Sequence, residues 1–343
     1  MVMEQINVTL DPAKPLAMLQ SCPAYQPSPL SVHKVGTHDV WVKDETQRMG
    51  LGAFKAMGGV YAVAELLVRE CGTSIQDLTS PEARDKAAGV NFVCASAGNH
   101  GMAVAAGAML FGAGCRIHLA DTVPEDFVSR LRAKGAEVVR SGATYEDSIA
   151  AAIKDAEDSG AIHLADGSWP GYTEPPRLVM EGYTTIAEEM RDSFAAAGSW
   201  PTHVYLQAGV GGLAGAIAYM IRKNWEVQPE IIVVEPDAAP CLSESAKAGE
   251  MVTVAGPVSN MGRLDCKTPS MLAFEILSKA ADRYIAISDT DALAGVAKAH
   301  DLGIGSTPSG AAGLTALLQE QMHKLPADAR PLVILSEGAV QDD

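Results

Sequence analysis

One lysine stands between an aromatic residue and a segment with helical spacing. Lys55 follows Phe54, and the small residues 56–59 come before apolar residues that recur every three or four positions. The N-terminus of a helix and partial burial each lower the pKa of a lysine amine. A neutral amine is a nucleophile toward aldehydes, so Lys55 could hold an aldehyde cofactor that supports carbanion chemistry. The alternative is an ordinary surface lysine in the first turn of a helix.

Two glycine-containing segments lie between predicted strands and predicted helices. The segment 209–212, Gly-Val-Gly-Gly, would expose backbone N–H groups at a helix N-terminus, which suits a phosphate. It matches neither the Gly-x-x-x-x-Gly-Lys-Ser/Thr loop nor a full Gly-x-Gly-x-x-Gly motif, so a bare tight turn is an equal alternative. The second segment, 96–100, could hold a carboxylate, and its Asn99 could hydrogen-bond a ring hydroxyl. His100 taken alone is more often a structural residue.

Three other side chains with chemical potential lie in predicted loops. Asp166 shares a loop with Trp169 and Tyr172, and a carboxylate beside aromatic rings can have a raised pKa and act as a base. The alternative is that Asp166 only forms a turn in an Asp-Gly pair. Ser336 ends the last predicted strand, where its hydroxyl could meet a ring nitrogen or could belong to a turn. No His or Asp at protease-type spacing marks Cys266 as a nucleophile.

Strands and helices alternate along most of the chain, which predicts an α/β fold with parallel strands and right-handed crossovers. The N-terminal 36 residues read as irregular, with a short strand near 5–10, and the loop 166–176, with the helix-breaking pair Pro175 and Pro176 at its end, reads as a hinge or domain boundary. The predicted strands are 39–43, 90–94, 116–120, 137–140, 161–165, 203–207, 230–235, 284–288 and 331–335, and the predicted helices are 55–67, 102–111, 124–134, 145–158, 178–196 and 214–223.

Composition narrows the function classes. The 343 residues carry a formal net charge of −16, which repels nucleic acid and anionic membranes. The six cysteines form no Cys-x-x-Cys pair and no zinc-type cluster with histidine, so no metal site is expected. The N-terminal residues have no secretory pattern, and no apolar run reaches the length of a membrane span. A cytoplasmic enzyme with reduced cysteines is therefore expected.

The motifs together resemble a known family. Gly-Ala-Phe-Lys, Ser-Ala-Gly-Asn-His-Gly, Ala-Gly-Val-Gly-Gly and Ser-Glu-Gly occur in this order, as in fold type II (tryptophan-synthase-β type) pyridoxal-phosphate enzymes. Lys-Asp-Glu-Thr at 43–46, Trp-Pro-Gly-Tyr after Asp166, Val-Val-Glu-Pro-Asp at 233–237 and the segment 260–266 most resemble diaminopropionate ammonia-lyases. The resemblance implies two open, mostly parallel sheets flanked by helices. It also implies a large domain (1–55 and 170–343), a small substrate-gripping domain (56–169) and a homodimer.

The resemblance also implies a role for each motif residue. Lys55 would form the Schiff base with pyridoxal 5'-phosphate, and Ser336 would face the pyridine nitrogen, which a hydroxyl leaves unprotonated. Asn99 would hydrogen-bond the ring oxygen, and Asp166 would be a catalytic base. The remaining implied residues contact the cofactor (Phe54, Gly209, Val210, Gly211, Gly212) or the substrate (Ser96, Ala97, His100, Tyr172).

The implied reaction is β-elimination and deamination of a small amino acid to a 2-oxo acid, pyruvate, and ammonia. The substrate that the resemblance implies is 2,3-diaminopropionate. Relatives that accept both enantiomers resemble one another in two active-site aspartates, and this chain has Ala97 at the first position and Asp166 at the second. The L-isomer is therefore expected. The alternatives are a serine, threonine or 3-hydroxyaspartate dehydratase, a non-catalytic metabolite sensor of the same fold, and a nicotinamide dehydrogenase, for which the fingerprint glycine is missing.

Overall fold

The elements alternate as the sequence predicts, and the fold is α/β. The computed structural model describes residues 6–22, 25–321 and 325–339. Its strands are β1 Leu30–Val35, β2 His38–Asp44, β3 Asn91–Cys94, β4 Gly114–Leu119, β5 Glu137–Arg140, β6 Ile162–His163, β7 His203–Gln207, β8 Glu230–Pro236, β9 Arg283–Ile287 and β10 Pro331–Leu335. Its α-helices are α1 Ala13–Gln20, α2 Lys55–Cys71, α3 Pro81–Ala87, α4 Asn99–Phe111, α5 Glu125–Ala133, α6 Tyr145–Ser159, α7 Glu174–Ala197, α8 Gly212–Asn224, α9 Cys241–Ala248, α10 Met271–Ala280, α11 Asp289–Asp301 and α12 Ala312–Gln321.

The strands form two sheets. The larger sheet has the order β1-β2-β10-β7-β8-β9, and the smaller sheet has the order β5-β4-β3-β6. Only β1 and β2 pair in antiparallel fashion, while the other pairs that the structure describes are parallel. The central strands β7, β8 and β10 are buried on both faces, as parallel strands covered by helices must be. The predicted fold class, with two mostly parallel sheets, is confirmed.

Three local predictions were wrong. Residues 6–10 form no strand, residue 5 lies outside the described residues, and the helix α1 follows instead. Pro175 and Pro176 do not break a helix, because they stand in the first turn of α7, where a missing backbone N–H removes no intrahelical bond. The edge strand β1 was missed, since it lies in a segment that the prolines had marked as irregular.

Helix α2, which begins at Lys55, packs against both α4 and α7. Gly58 of α2 and Gly182 of α7 allow the two backbones to meet: a Cβ atom built on Gly182 would overlap the carbonyl oxygen of Met57 and lie 2.7 Å from the Cα of Gly58. Only glycine fits such a close crossing. The crossing therefore fixes α2, and with it Lys55, against the long helix α7.

A buried ion network holds the loop that leads into α2. Arg48 binds Glu45 through Nε at 2.6 Å and Glu189 of α7 at 2.7 Å, and Lys43 binds Glu189 at 2.6 Å. Although burial opposes ionisation, Arg48 and Lys43 hold the pKa of Glu189 below its usual value. All four side chains are almost fully buried and paired with opposite charges. Removing one of them would leave a buried charge without its partner. The network thus anchors the loop 45–52 to α7.

The described residues contain neither a membrane-spanning helix nor a metal-binding cluster of side chains. No helix in the described part of the chain is long and apolar enough to cross a membrane. Among the same residues, no three histidine, cysteine, aspartate or glutamate side chains are grouped so as to hold a metal ion.

Candidate active site

The predicted site residues converge where strands end and helices begin. The carboxyl end of β3 leads into the segment 96–100, that of β7 into the segment 209–212, and β6 and β10 are followed by Asp166 and Ser336. The backbone N–H of Phe54 donates to the carbonyl oxygen of Ser336 at 3.0 Å, which joins the start of α2 to the end of β10. Ligands of open parallel sheets bind at such strand ends.

Lys55 and Asp166 are hydrogen-bonded to each other through Nζ and Oδ2. Although burial favours the neutral amine, the Asp166 carboxylate raises the pKa of Lys55 above its usual value. Burial likewise opposes ionisation of Asp166, yet the Lys55 ammonium holds the pKa of that carboxyl below its usual value. The predicted directions, lowered for Lys55 and raised for Asp166, were therefore wrong, because the ion pair outweighs burial.

The loop that carries Asp166 is fastened at both ends. Tyr172 stacks on Trp169 with ring centroids 4.3 Å apart, and its hydroxyl donates to the His163 carbonyl at 2.8 Å and accepts from Ala165 N–H at 3.0 Å. The Tyr172 hydroxyl is thus used to hold the end of β6. The prediction that Tyr172 binds substrate stays untested, and its contacts are those of a residue that positions Asp166.

Ser168 provides the second attachment of this loop. Its side chain and backbone make four hydrogen bonds to residues 270–272 at the start of α10, between 2.7 and 3.0 Å. Ser168 is buried, so these bonds have little competition from water. Asp166 is consequently linked to a segment that also contacts the glycine segment 209–212, since Ser270 N–H donates to the Val210 carbonyl at 2.9 Å.

The segment 209–212 opens helix α8 with a left-handed turn. Gly211 has φ 97°, which favours glycine, and a Cβ on Gly209 would lie 3.0 Å from the sulfur of Cys266. The first N–H groups of a helix have no intrahelical acceptor, so α8 offers them to a ligand. Cys266 closes one side of this loop, and burial raises its pKa to about 11, which keeps it a thiol at neutral pH.

Tyr183, on α7, lies between the lysine and the glycine loop. Its ring packs edge-on against Phe54 at 5.0 Å between centroids, and a Cβ on Gly212 would lie 3.6 Å from its Cε2. The side chain is 1% exposed, and its hydroxyl has no hydrogen-bond partner among the described residues. Burial raises the pKa of Tyr183, while the Lys55 ammonium opposes this shift. A buried hydroxyl without a partner is costly, which marks a place where a ligand atom would fit.

Ser336 is held by a side chain from the neighbouring strand. Gln207, the last residue of β7, donates from Nε2 to the Ser336 Oγ at 3.0 Å and to the Ile334 carbonyl at 2.8 Å. Because the Ser336 oxygen accepts this bond, its own proton is available for an acceptor in the site. Both side chains are buried.

The segment 96–100 starts helix α4 and is tightly folded. Gly98 N–H donates to Ser96 Oγ at 3.3 Å, and Asn99 donates from Nδ2 to Glu337. The buried His100 has Nε2 2.8 Å from the Leu164 carbonyl, so Nε2 carries the proton, and burial lowers its pKa. The backbone thus occupies Nε2 of the His100 ring, while Nδ1 is buried and has no hydrogen-bond partner among the described residues.

A cavity of about 500 Å³ adjoins this segment. Its wall includes Asn99, Glu337, Arg130 and Arg263, together with residues of the loop 46–52 and with Thr307 and Ser309. A smaller extension reaches Ala97 and Phe127. The cavity therefore lies between elements of both sheets, next to Asn99.

Sequence reasoning missed three residues of this site. Tyr183 lies inside a helical pattern, and Ser168 lies inside a loop, so no local signal distinguishes them. Gln207 could have been noticed, because it is a polar residue at the end of an otherwise apolar strand before a glycine loop.

Comparison with known proteins gives a consistent result. The family model described as "Pyridoxal-phosphate dependent enzyme" matches residues 22–337. The diaminopropionate ammonia-lyase of Escherichia coli (strain K12) is 33% identical over 342 residues, covering 93% of this chain and 86% of that protein. That of Salmonella typhimurium is 33% identical over 359 residues, covering 96% and 89%.

Solved structures agree with this similarity. The Escherichia coli diaminopropionate ammonia-lyase in complex with an aminoacrylate-PLP azomethine reaction intermediate superimposes with a TM-score of 0.84 at 31% identity, covering 98% of this chain and 92% of that one. Maize serine racemase shares the fold, with a TM-score of 0.78 at 20% identity and coverage of 96% of this chain and 93% of that one. From its sequence, its fold and the match over residues 22–337, the chain belongs to the pyridoxal-phosphate-dependent enzymes of fold type II.

Proposed function

We propose that the protein is a pyridoxal-phosphate-dependent ammonia-lyase acting on a small amino acid, with L-2,3-diaminopropionate as its substrate. The observation that carries the proposal is the Lys55–Asp166 pair, placed between the glycine loop of α8 and the ring of Phe54. The similarity to diaminopropionate ammonia-lyases over most of the chain supports the substrate. Per molecule, diaminopropionate and one water would give pyruvate and two ammonia.

The residues present fit pyridoxal phosphate. The N–H groups at the start of α8 would hold the phosphate, Lys55 would hold the aldehyde carbon, and Ser336 would donate its free proton to the ring nitrogen. The unpartnered hydroxyl of Tyr183 lies between these groups. When bound, the cofactor supplies the electron sink for the carbanion.

Lys55 and Asp166 would share the proton transfers. In the ion pair, Lys55 lowers the pKa of Asp166, and this effect disappears once the lysine amine is no longer a cation. Burial, the largest of the remaining influences on Asp166, then raises its pKa, which makes the carboxylate a stronger base. Loss of the proton from Lys55 therefore makes its amine a nucleophile. The same loss lets Asp166, or Lys55 itself, act as the base that removes the α-proton of an L-substrate.

The segment 96–100 would bind the substrate carboxylate through backbone N–H groups and the start of α4. Asn99 is bonded to Glu337 and would exchange this partner for the ring oxygen of the cofactor. Ala97 contributes no acid, so the site has one aspartate, Asp166, to serve as base. This supports elimination from one enantiomer.

The proposal extends to the organisation of the molecule. The large domain would comprise 1–55 and 170–343, which contain β1, β2 and β7–β10, and the small domain 56–169, which contains β3–β6. Residues 1–5, 23–24, 322–324 and 340–343 of these ranges lie outside the described residues. We further propose a cytoplasmic homodimer, supported by likeness to the family and by the reduced cysteines.

The experiment combines colour and product release. The purified protein should take up pyridoxal phosphate and absorb in the Schiff-base band, and it should release pyruvate and ammonia from L-diaminopropionate. Lys55→Ala should lose the band and turnover, because the amine that bonds the aldehyde is gone. D-diaminopropionate, serine and threonine complete the panel. A folded protein that takes up no cofactor, or turnover retained by Lys55→Ala, would refute the proposal.

A further inference from the structure

Two arginines flank one aromatic ring at the end of the cavity. The guanidinium carbon of Arg263 lies 5.6 Å from the centroid of Phe127, and that of Arg130 lies 6.0 Å from it. Both arginines line the main cavity and its extension toward Ala97. A Cβ built on Gly98 would lie 3.3 Å from the Cζ of Arg263, so this guanidinium rests on the segment 96–100. Stacking on Phe127 limits the freedom of both side chains.

The positive charge of this pair is incompletely neutralised. Within the described residues, the Arg130 guanidinium has no hydrogen bond or ion pair. The nearest acid to Arg263 is Glu337, with Nε and Oε2 3.7 Å apart, too far for a hydrogen bond. Glu337 also accepts from Asn99 and from Thr307 Oγ1, the latter at 2.5 Å. In a chain of net charge −16, two neighbouring arginines, of which only Arg263 has an acid within ion-pair distance among the described residues, suggest an anionic ligand.

We propose that Arg130 and Arg263 form a carboxylate site that admits amino acids with a second carboxylate on Cβ as substrates. The inference rests on the proposed function, because the elimination would use the same Lys55 and Asp166. The segment 96–100 serves the α-carboxylate, and the arginines line the main cavity beside it. Guanidinium groups bind carboxylates with charge-assisted, often bidentate hydrogen bonds. Ala97 is uncharged, so Arg130 and Arg263 are the charged side chains that lie next to it.

A 3-hydroxyaspartate is the matching probe of reactivity. Its α-proton and its β-hydroxyl leave as water, and hydrolysis of the resulting enamine consumes one water. The net products are therefore oxaloacetate and one ammonia, without oxidant or reductant. The β-carboxylate takes no part in bond breaking and would only be bound by Arg130 and Arg263.

The binding experiment compares two amino acids without a β leaving group. Dissociation constants of L-aspartate and L-alanine are measured by calorimetry on the holoenzyme. We expect wild-type protein to prefer L-aspartate, and Arg263→Gln and Arg130→Gln to reduce this preference by about 10- to 100-fold, the loss expected for a hydrogen bond to a charged group. Arg263→Lys keeps the charge but loses the planar guanidinium group, so its preference for L-aspartate should lie between those of wild type and Arg263→Gln. Arg132→Gln, on the same helix α5 but bonded to the exposed Glu125, is the matched control.

The kinetic experiment measures the ratio of kcat/KM for 3-hydroxyaspartate to that for diaminopropionate. This ratio should fall in both glutamine variants and stay constant in Arg132→Gln, a pattern that a general loss of stability would not produce. Equal binding of aspartate and alanine by wild-type protein, or a ratio unaffected by either substitution, overturns the inference. If no amino acid is turned over while aspartate is still preferred through Arg263, the proposed function fails and the carboxylate site stands.

Discussion

The Lys55–Asp166 ion pair is the residue-scale feature on which the chemistry depends. Each partner changes the pKa of the other in the direction that keeps both charged, against burial. A charged lysine is not nucleophilic, so the pair stores the amine in an inactive form until the proton moves. In the proposed function, Asp166 would therefore control the charge of Lys55 as well as act as a base.

This control predicts the behaviour of Asp166→Asn in cofactor-free protein. Without the carboxylate, burial alone acts on Lys55, and its pKa should fall below the usual value of about 10.4. The lysine should then be acylated roughly tenfold or more faster at pH 8, with the pH profile displaced to lower pH. Peptide mass spectrometry of Lys55 after timed acylation measures this. Asp155→Asn, which affects a carboxylate bound to Arg116 and His118, should leave the profile unchanged. An unchanged profile in Asp166→Asn would contradict the control by Asp166.

At the scale of elements, the crossing of α2 and α7 sets the position of Lys55. Replacing Gly182 by alanine should gain about 1 kcal/mol of helix propensity. The added Cβ would overlap Met57 O, and overpacking of this kind costs about 1–3 kcal/mol, so the overlap should win. We expect Gly182→Ala to lower the melting temperature and the cofactor affinity. Gly89→Ala is the control, since its Cβ would meet its nearest neighbour at an ordinary 3.6 Å. A Gly182→Ala protein as stable as wild type would show that the helices can separate without cost.

Elements were predictable where the signal was local. The apolar runs at 203–207 and 331–335 became strands with the predicted bounds, because buried parallel strands need continuous apolar residues. The segment 137–140 also has the predicted bounds, but it is the edge strand β5 and only its two central residues are partly buried. The start of α2 at Lys55 was also correct. Helices α9 to α12 were not predicted, and neither was the first turn of α7, where the effect of proline depends on its position in the helix.

At the scale of the whole molecule, the site takes residues from both sheets. Asn99 and Asp166 follow strands of the smaller sheet, while the segment 209–212 and Ser336 follow strands of the larger one. The motifs alone indicated these groups, since each follows its own strand. The contacts of Tyr183 and Gln207 depend on packing between segments that are distant in the sequence, which no local pattern records.

A ligand that contacts both sheets should stabilise the whole fold. At a free concentration of 100 times its dissociation constant, a ligand adds about 2.7 kcal/mol to the free energy of unfolding, and for a chain of this size that raises the melting temperature by about 4 °C. We expect pyridoxal phosphate to produce such a rise. Pyridoxal, which lacks the phosphate, should produce a much smaller one, because it leaves the N–H groups at the start of α8 unpaired.

Lys55→Ala separates the two attachments in the same measurement. The substitution removes the covalent bond but leaves the segment 209–212 unchanged. Pyridoxal phosphate should therefore still raise the melting temperature of the variant, by less than that of wild type. Pyridoxal should then have almost no effect, since neither attachment remains. Equal shifts from pyridoxal and pyridoxal phosphate in wild type would mean that the segment 209–212 does not bind the phosphate, and that the turn at Gly211 serves only to start α8.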